Sequence, residues 1–436
     1  MATLDDDFAF VAVSAERANR RQRQACERVV DDPACSGRAL ARHLDLAYEI
    51  FEVHISERRA AYVGALDDTV RNDAIVEMRQ LLWKMRKLQS NLDWLTAAQS
   101  PPLDLGWRYF VEDAARRLVA PRVELTVVPQ AKASYATTSN PWEPLIDGWG
   151  GGIPEGEPTI VVVFLPAREE TAGLLHPLIM HELGHAADSQ HKIVEAIWDG
   201  AQKRKMLSRR FADAVTLWQK DSSLDALGAK DHVAERLMSW IAEAFCDSVA
   251  VHLLGPSYLY SFLVEVVAGN LDDPAPHHPP PRQRVRHILD DLDRLGWAPL
   301  MAQSDPVLDR WVRSWAGEGP EYGGVEKFLY WAIDDLHAVI RKATKDALSG
   351  GFFRPEPAEF AEVSELLAAR IPPAQLRSGS PASRESIILA SWYAALEAAG
   401  GGPTALPDAS EIPELSELLP AALELSALAS AWQPAP

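Results

Sequence analysis

Apolar residues recur with helical period through three long, charge-rich stretches, Ala15 to Val30, Arg38 to Ala65 and Thr69 to Gln99. This spacing predicts amphipathic helices. In the third stretch Leu81, Leu82, Met85 and Leu88 fall on one stripe that Leu92 and Leu95 extend, which reads as a packing face and not as a cofactor site. Ser100-Pro101-Pro102 breaks the pattern. After Pro121 the period becomes twofold: Val123, Leu125 and Val127 alternate with Glu124 and Thr126, predicting a half-buried strand closed by Pro129. The almost wholly apolar run Thr159 to Leu165 predicts a second strand. Between them, the glycine-rich run Asp147 to Pro154 lacks the lysine and the following helix of a phosphate loop, and reads equally as a mobile flap or a surface turn. Helical spacing resumes over about 172–190, continues through a charge-mixed 191–230, and crosses an apolar stretch from Trp240 that Gly255-Pro256 ends. It returns over 257–263, 283–295, 324–348, 356–370, 384–399 and 410–431. The expected fold is mainly α with a small β-sheet (α+β), in three regions: a helical 1–120, a mixed 121–298 and a helical 299–436.

A chain of 436 residues and 48.0 kDa exceeds one ordinary core. Its 47% hydrophobic and 24% charged residues are usual for globular proteins. No window reads as the run of about twenty apolar residues needed to cross a bilayer, so a soluble protein without membrane insertion is expected. The acidic start, Met1 to Asp7, lacks the basic and apolar segments of a secretory signal. Cys26, Cys35 and Cys246 form neither a disulfide framework nor a Cys-x-x-Cys pair, and together these features point to a reducing, cytoplasmic setting. A net charge of −19 argues against nucleic acid and anionic membranes as partners. From Glu385 onward there are seven acids and no Lys or Arg, as expected of an acidic-faced packing helix or, alternatively, of an autoinhibitory or docking tail.

The chemistry is concentrated in His181-Glu182-Leu183-Gly184-His185. On a helix His181 and His185 stand one turn apart on one face, where two imidazoles can share a tetrahedral zinc ion. Glu182, rotated by about 100°, can act as general base on a water that the metal has made more acidic. A motif this short needs a second signal. That signal is Glu243 with Asp247 one turn later, set among Trp240, Ala244, Phe245, Cys246, Val249 and Ala250. An arbitrary Glu-x-x-x-Asp is a solvated helix face, but carboxylates among apolar neighbours need partners. Glu243 reads as the third ligand and Asp247 as the group that orients a ligand histidine. His43, His54, His176, His191 and His252 have no motif support and read as structural.

These two motifs, followed by His278-Pro279-Pro280-Pro281-Arg282-Gln283-Arg284-Val285, resemble the gluzincin metallopeptidases, and among them the family of the CAAX prenyl proteases and HtpX-like heat-shock proteases. The resemblance covers about Thr159 to Leu289. It implies a zincin-like domain flanked by helical regions, one Zn2+ held by His181, His185 and Glu243, and catalytic parts for Glu182, His278 and Arg284. His278 would lie beside the substrate at the reaction's oxyanion, and Arg284 would hold a substrate carbonyl or keep His278 in place. It also implies that 159–165 is an edge strand recognising extended peptide by β-addition. The chain departs from the family in having no membrane-spanning segments around the site, which argues against a membrane or prenylated substrate. The expectation is a zinc-dependent metallopeptidase acting on a peptide or protein. The alternatives are a non-catalytic, metal-stabilised regulatory or interaction protein on the same fold and a zinc hydrolase of a non-peptide amide.

Overall fold

The computed structural model describes residues 3–31, 37–97, 103–130, 135–140, 157–166, 173–221, 225–267, 272, 274–317, 322–349, 351–409 and 413–432. The described residues are mainly helical with one three-stranded sheet. The chain divides into two compact units, Met1–Leu103 with Arg122–Ser134 and Thr138–Ala167, and Asp104–Pro121 with Tyr135–Thr137 and Arg168–Pro436. This division departs from the three regions expected at 120 and 298. The strands over 123–130 and 159–166 pack with the N-terminal helices, and the C-terminal helices belong to the unit that carries the motif residues.

In the first unit, α1 (Leu4–Asp31), α2 (Arg38–Gly64) and α3 (Asp68–Ala97) pack on one another. The buried positions of α1, Phe8, Val11, Ala12, Ala15, Asn19, Gln22 and Cys26, follow a helical seam. Met78, Leu81, Met85 and Leu88 of α3 join the same core. Strands β1 (Val123–Gln130), β2 (Ala136–Ser139) and β3 (Thr159–Pro166) form a sheet in the order β1-β3-β2, with β1 and β3 parallel from Val123↔Thr159 to Gln130↔Pro166. Two expectations are corrected here. β1 runs through Pro129 and buries Thr126 and Val128 as well, because a proline lacking its N–H is tolerated on an edge strand. β3 is the central strand of the described sheet, with β1 and β2 on its two sides, and not an edge strand. Its unbroken apolar run, with Ile160, Val161, Val162 and Val163 all fully buried, reflects a strand covered on both faces. The glycine-rich run 147–154 and Cys35 lie outside the described residues.

The second unit begins with α4 (Leu105–Leu118), followed by α5 (Leu178–His191), α6 (Ile193–Lys203), α7 (Ser208–Asp221) and α8 (Ala226–Leu254). Next come α9 (Pro256–Val267), α10 (Pro281–Leu295), α11 (Ala298–Ser304), α12 (Pro306–Gly317) and α13 (Gly324–Ala347). The unit closes with α14 (Pro357–Ala368), α15 (Arg384–Ala398), the short α16 (Leu406–Ala409) and α17 (Pro413–Trp432). α5 starts later than its periodicity suggests because Pro177 occupies its N-cap. α8 is the axis: α5, α7, α10 and α13 all pack on it, and every residue from Glu243 to Leu254 is buried. By length and composition α8 is apolar enough to cross a membrane, contrary to expectation, but 83% of that apolar window is buried within the fold. α17 packs on α4 and α15, where a Cβ on Gly106 would stand 2.6 Å from the Pro420 carbonyl oxygen, so the acidic end forms a packing helix.

Asp291 of α10 is buried beneath Ser248, which donates to it at 2.7 Å, and Arg341, which lies 2.9 Å away. Burial alone would push its carboxyl up, but His337, Ser248 and His252 outweigh burial and hold it at about 2 against an ordinary 3.8. A depressed carboxyl contributes stability that is complete above the unfolded value and is lost as pH falls from about 4 towards 2. We therefore expect Asp291→Asn to be less stable than wild type at neutral pH, by an amount of order 2 kcal/mol. Urea unfolding should show the difference shrinking over that acid window; a constant difference down to pH 2 contradicts the assignment.

Candidate metal centre

The centre is made where α5 crosses α8. Gly184 permits the close approach: a Cβ there would stand 2.9 Å from both Cα and Sγ of Cys246, and a backbone atom cannot move aside as a flexible side chain can. The crossing brings one turn of α5 against one turn of α8. His181 and His185 present rings with centroids 5.0 Å apart and planes at 81°. Glu243 faces both, with Oε2 3.4 Å from His181 Nε2 and Oε1 3.3 Å from His185 Nε2. One turn further along α8, Asp247 Oδ1 lies 3.0 Å from His181 Nδ1. The two carboxylates thus hold opposite sides of the same imidazole. Glu182 is half-buried, and its burial pushes the carboxyl up despite the opposing influence of His181 and His185.

The remaining residues come from the chain beyond α8. His278 Nδ1 lies 3.1 Å from Glu243 Oε2, with its side chain 54% exposed. Arg284, near the start of α10, donates from Nε to Asp247 Oδ2 at 2.8 Å and from Nη2 to Asp247 Oδ1 at 2.7 Å, while its Nη1 stands 3.1 Å from Glu243 Oε2. Its guanidinium also lies over the Phe262 ring, 4.6 Å from the centroid. The fork of Arg284 is thus taken up by the two carboxylates. Arg282, by contrast, turns away to Asp272 at 2.6 and 3.0 Å.

Sequence reasoning missed Tyr258, whose hydroxyl donates to Asp247 Oδ1 at 2.5 Å and lies 3.1 Å from His181 Nδ1. It sits in an ordinary apolar helical run with no motif to mark it. The histidines read as structural fall outside the centre. His176 packs on Trp107, His191 contacts the Leu118 carbonyl oxygen at 3.0 Å, and His252 contacts the Ser248 carbonyl oxygen at 2.7 Å. His43 and His54 lie near Glu157 and Glu57 in the first unit.

The charges are arranged for a cation. Burial would raise the Glu243 carboxyl, but Arg284, His181, His185 and His278 together hold it well below the usual carboxylate range. Asp247 is depressed in the same way, chiefly by Arg284 against the effect of burial. Burial would lower His181, yet Asp247 and Glu243 carry it to about 10, so positive charge at the imidazole is strongly favoured. Glu243 Oε2 is fully buried, with His181, His278 and Arg284 as its charged neighbours.

Among the described residues two groups could hold a metal ion: His181 and His185 with Cys246, and Asp290 and Asp291 with His337. The second is already neutralised by Arg341, 2.6 Å from Asp290 and 2.9 Å from Asp291. In the first, burial and the acids Glu243, Glu182 and Asp247 push the Cys246 thiol far up. Glu243 faces both histidines as well, at 3.4 and 3.3 Å, so the two imidazoles have a carboxylate and a thiol beside them as further donors. Comparison of the chain with protein-family models, with curated proteins and with solved structures finds no match.

Because Lys cannot reproduce a bidentate fork, Arg284→Lys is expected to loosen both carboxylates and weaken metal binding. Arg284→Met, which leaves them buried and unpaired, should destabilise the fold by about 3–5 kcal/mol. Equilibrium unfolding with metal titration checks both; a rate defect with unchanged stability and metal affinity would return Arg284 to the substrate side.

Proposed function

We propose that this chain is a zinc-dependent metallopeptidase. The observation that supports this most is the convergence of His181 Nε2, His185 Nε2 and Glu243 on one space, with Glu182 beside them on α5. Two imidazoles and one carboxylate are the donor set of a zinc site that keeps an open position. Bound zinc supplies Lewis acidity there, lowering the pKa of a water and polarising a carbonyl.

The chain's own groups account for the remaining steps. Glu182, its carboxyl made more basic by burial, takes a proton from the attacking water and passes it to the leaving amine. Asp247 holds His181 by Nδ1 and keeps Nε2 aimed at Glu243. His278, half-exposed beside Glu243, is the group placed to donate to charge developing on the substrate oxygen. A peptide or protein is the proposed substrate and the cytoplasm the proposed setting.

The proximity of Cys246 favours a specific second reading. With Glu243 and both histidines, a Cys246 thiolate would close the coordination shell and make the metal structural. Cobalt-substituted protein separates the two. The catalytic reading expects no thiolate-to-cobalt charge-transfer band and unchanged metal affinity in Cys246→Ala, whereas a strong band lost in that variant favours the structural metal.

The decisive experiment is an unbiased cleavage profile of a peptide library, read by mass spectrometry, with zinc-loaded and chelated protein. We expect cleavage only in the loaded form. Glu182→Gln should keep zinc and lose about 10²- to 10⁴-fold in turnover, and Glu243→Ala should lose the metal. Near wild-type turnover in Glu182→Gln would contradict the role of Glu182.

A further inference from the structure

α8 and α9 meet at a bend that leaves little freedom. Gly255 adopts φ +57°, and a Cβ there would stand 2.8 Å from the Trp297 ring. The bend turns the chain so that Tyr258, buried to 1% exposure, lies back against Asp247 and His181. Its ring is nearly parallel to the His181 imidazole, with centroids 6.2 Å apart and planes at 9°.

We propose that Tyr258 is a positioning residue of the metal centre: its phenol fixes His181 in the tautomer that leaves Nε2 free for a metal. This rests on the reading of His181, His185 and Glu243 as ligands, and it follows from counting protons. Ionised Asp247 can only accept. Its Oδ2 accepts from Arg284 Nε, and its Oδ1 accepts from Arg284 Nη2 and from the Tyr258 hydroxyl. At 2.5 Å from Oδ1 the phenol must donate there, since two acceptors at that distance would repel. Its single proton is thereby used, and the phenol presents a lone pair to His181 Nδ1 at 3.1 Å.

Nδ1 therefore meets two acceptors, the Tyr258 oxygen at 3.1 Å and Asp247 Oδ1 at 3.0 Å, and no donor. It must carry a proton, which leaves Nε2, on the Glu243 side, as the nitrogen available to a metal. Asp247 alone could hold the tautomer, but only the pair confines Nδ1–H between two fixed oxygens.

The test compares zinc affinity in wild type and Tyr258→Phe by competition with a chromophoric chelator. Long-range 1H–15N spectra of the imidazoles of the zinc-loaded wild type accompany it. We expect affinity about 10- to 100-fold weaker in the variant, unchanged near-ultraviolet circular dichroism of the metal-free forms, and the proton on His181 Nδ1. Equal affinity in the two proteins overturns the role of Tyr258 while leaving the ligands in place. Failure of wild type to bind zinc removes the ligand reading and this proposal with it. If Tyr258→Phe does not fold, the wild-type spectrum decides: a proton on Nδ1 supports the proposal and a proton on Nε2 overturns it.

Discussion

The second compact unit depends on one buried ion pair, the two-pronged contact between Asp247 of α8 and Arg284 of α10. Removing both charges from water is costly, and the contact becomes tolerable only because the other valences are satisfied as well. Tyr258 and His181 take up the remaining capacity of Asp247, and Glu243 lies against the third nitrogen of Arg284. Four helices, α5, α8, α9 and α10, are thereby fixed around one carboxylate. A hydrophobic contact of similar area would resist separation of these helices equally well, but it would tolerate rotation. Directional hydrogen bonds do not, and a centre in which two imidazoles must share one point needs that intolerance.

The apolar character of α8 has the same origin. A helix surrounded on all sides can present polar groups only where partners await them, and Glu243 and Asp247 have such partners. Apolar content alone therefore describes a core axis and a membrane span in the same way; the acids in the buried half and their bonded neighbours distinguish them.

The helices were legible because their period is local. Ala15 to Val30, residues 283–295 and 324–348 needed nothing beyond their own spacing, and each lies within or close to an observed helix. The His181-Glu182-Leu183-Gly184-His185 motif was legible for the same reason, since a helix brings His181 and His185 together without help from the rest of the chain. Glu243 could be read from the apolar context of its neighbours. What the sequence did not disclose depends on pairings between distant residues. Strand order made β3 central although the family resemblance implied an edge. The true engagement of Arg284 with Asp247 spans 37 residues, and Tyr258 carries no local mark of its two hydrogen bonds. The division into units was hidden because the strands join helices that precede them.

The seating of Gly106 against Pro420, Leu423 and Glu424 has a kinetic consequence. The first helix of the second unit is completed by the last described helix of the chain, so the loop that closes between them encloses most of the unit. Contacts of such long range form late and slow folding. Until α17 arrives, α4 must hold Trp107, Phe110 and Val111, residues buried in the finished fold, without their final cover. During that interval the half-formed unit exposes apolar surface of the kind that aggregates or engages chaperones. A packing interface that is silent in the native state thus lengthens the path by which the newly made protein reaches it.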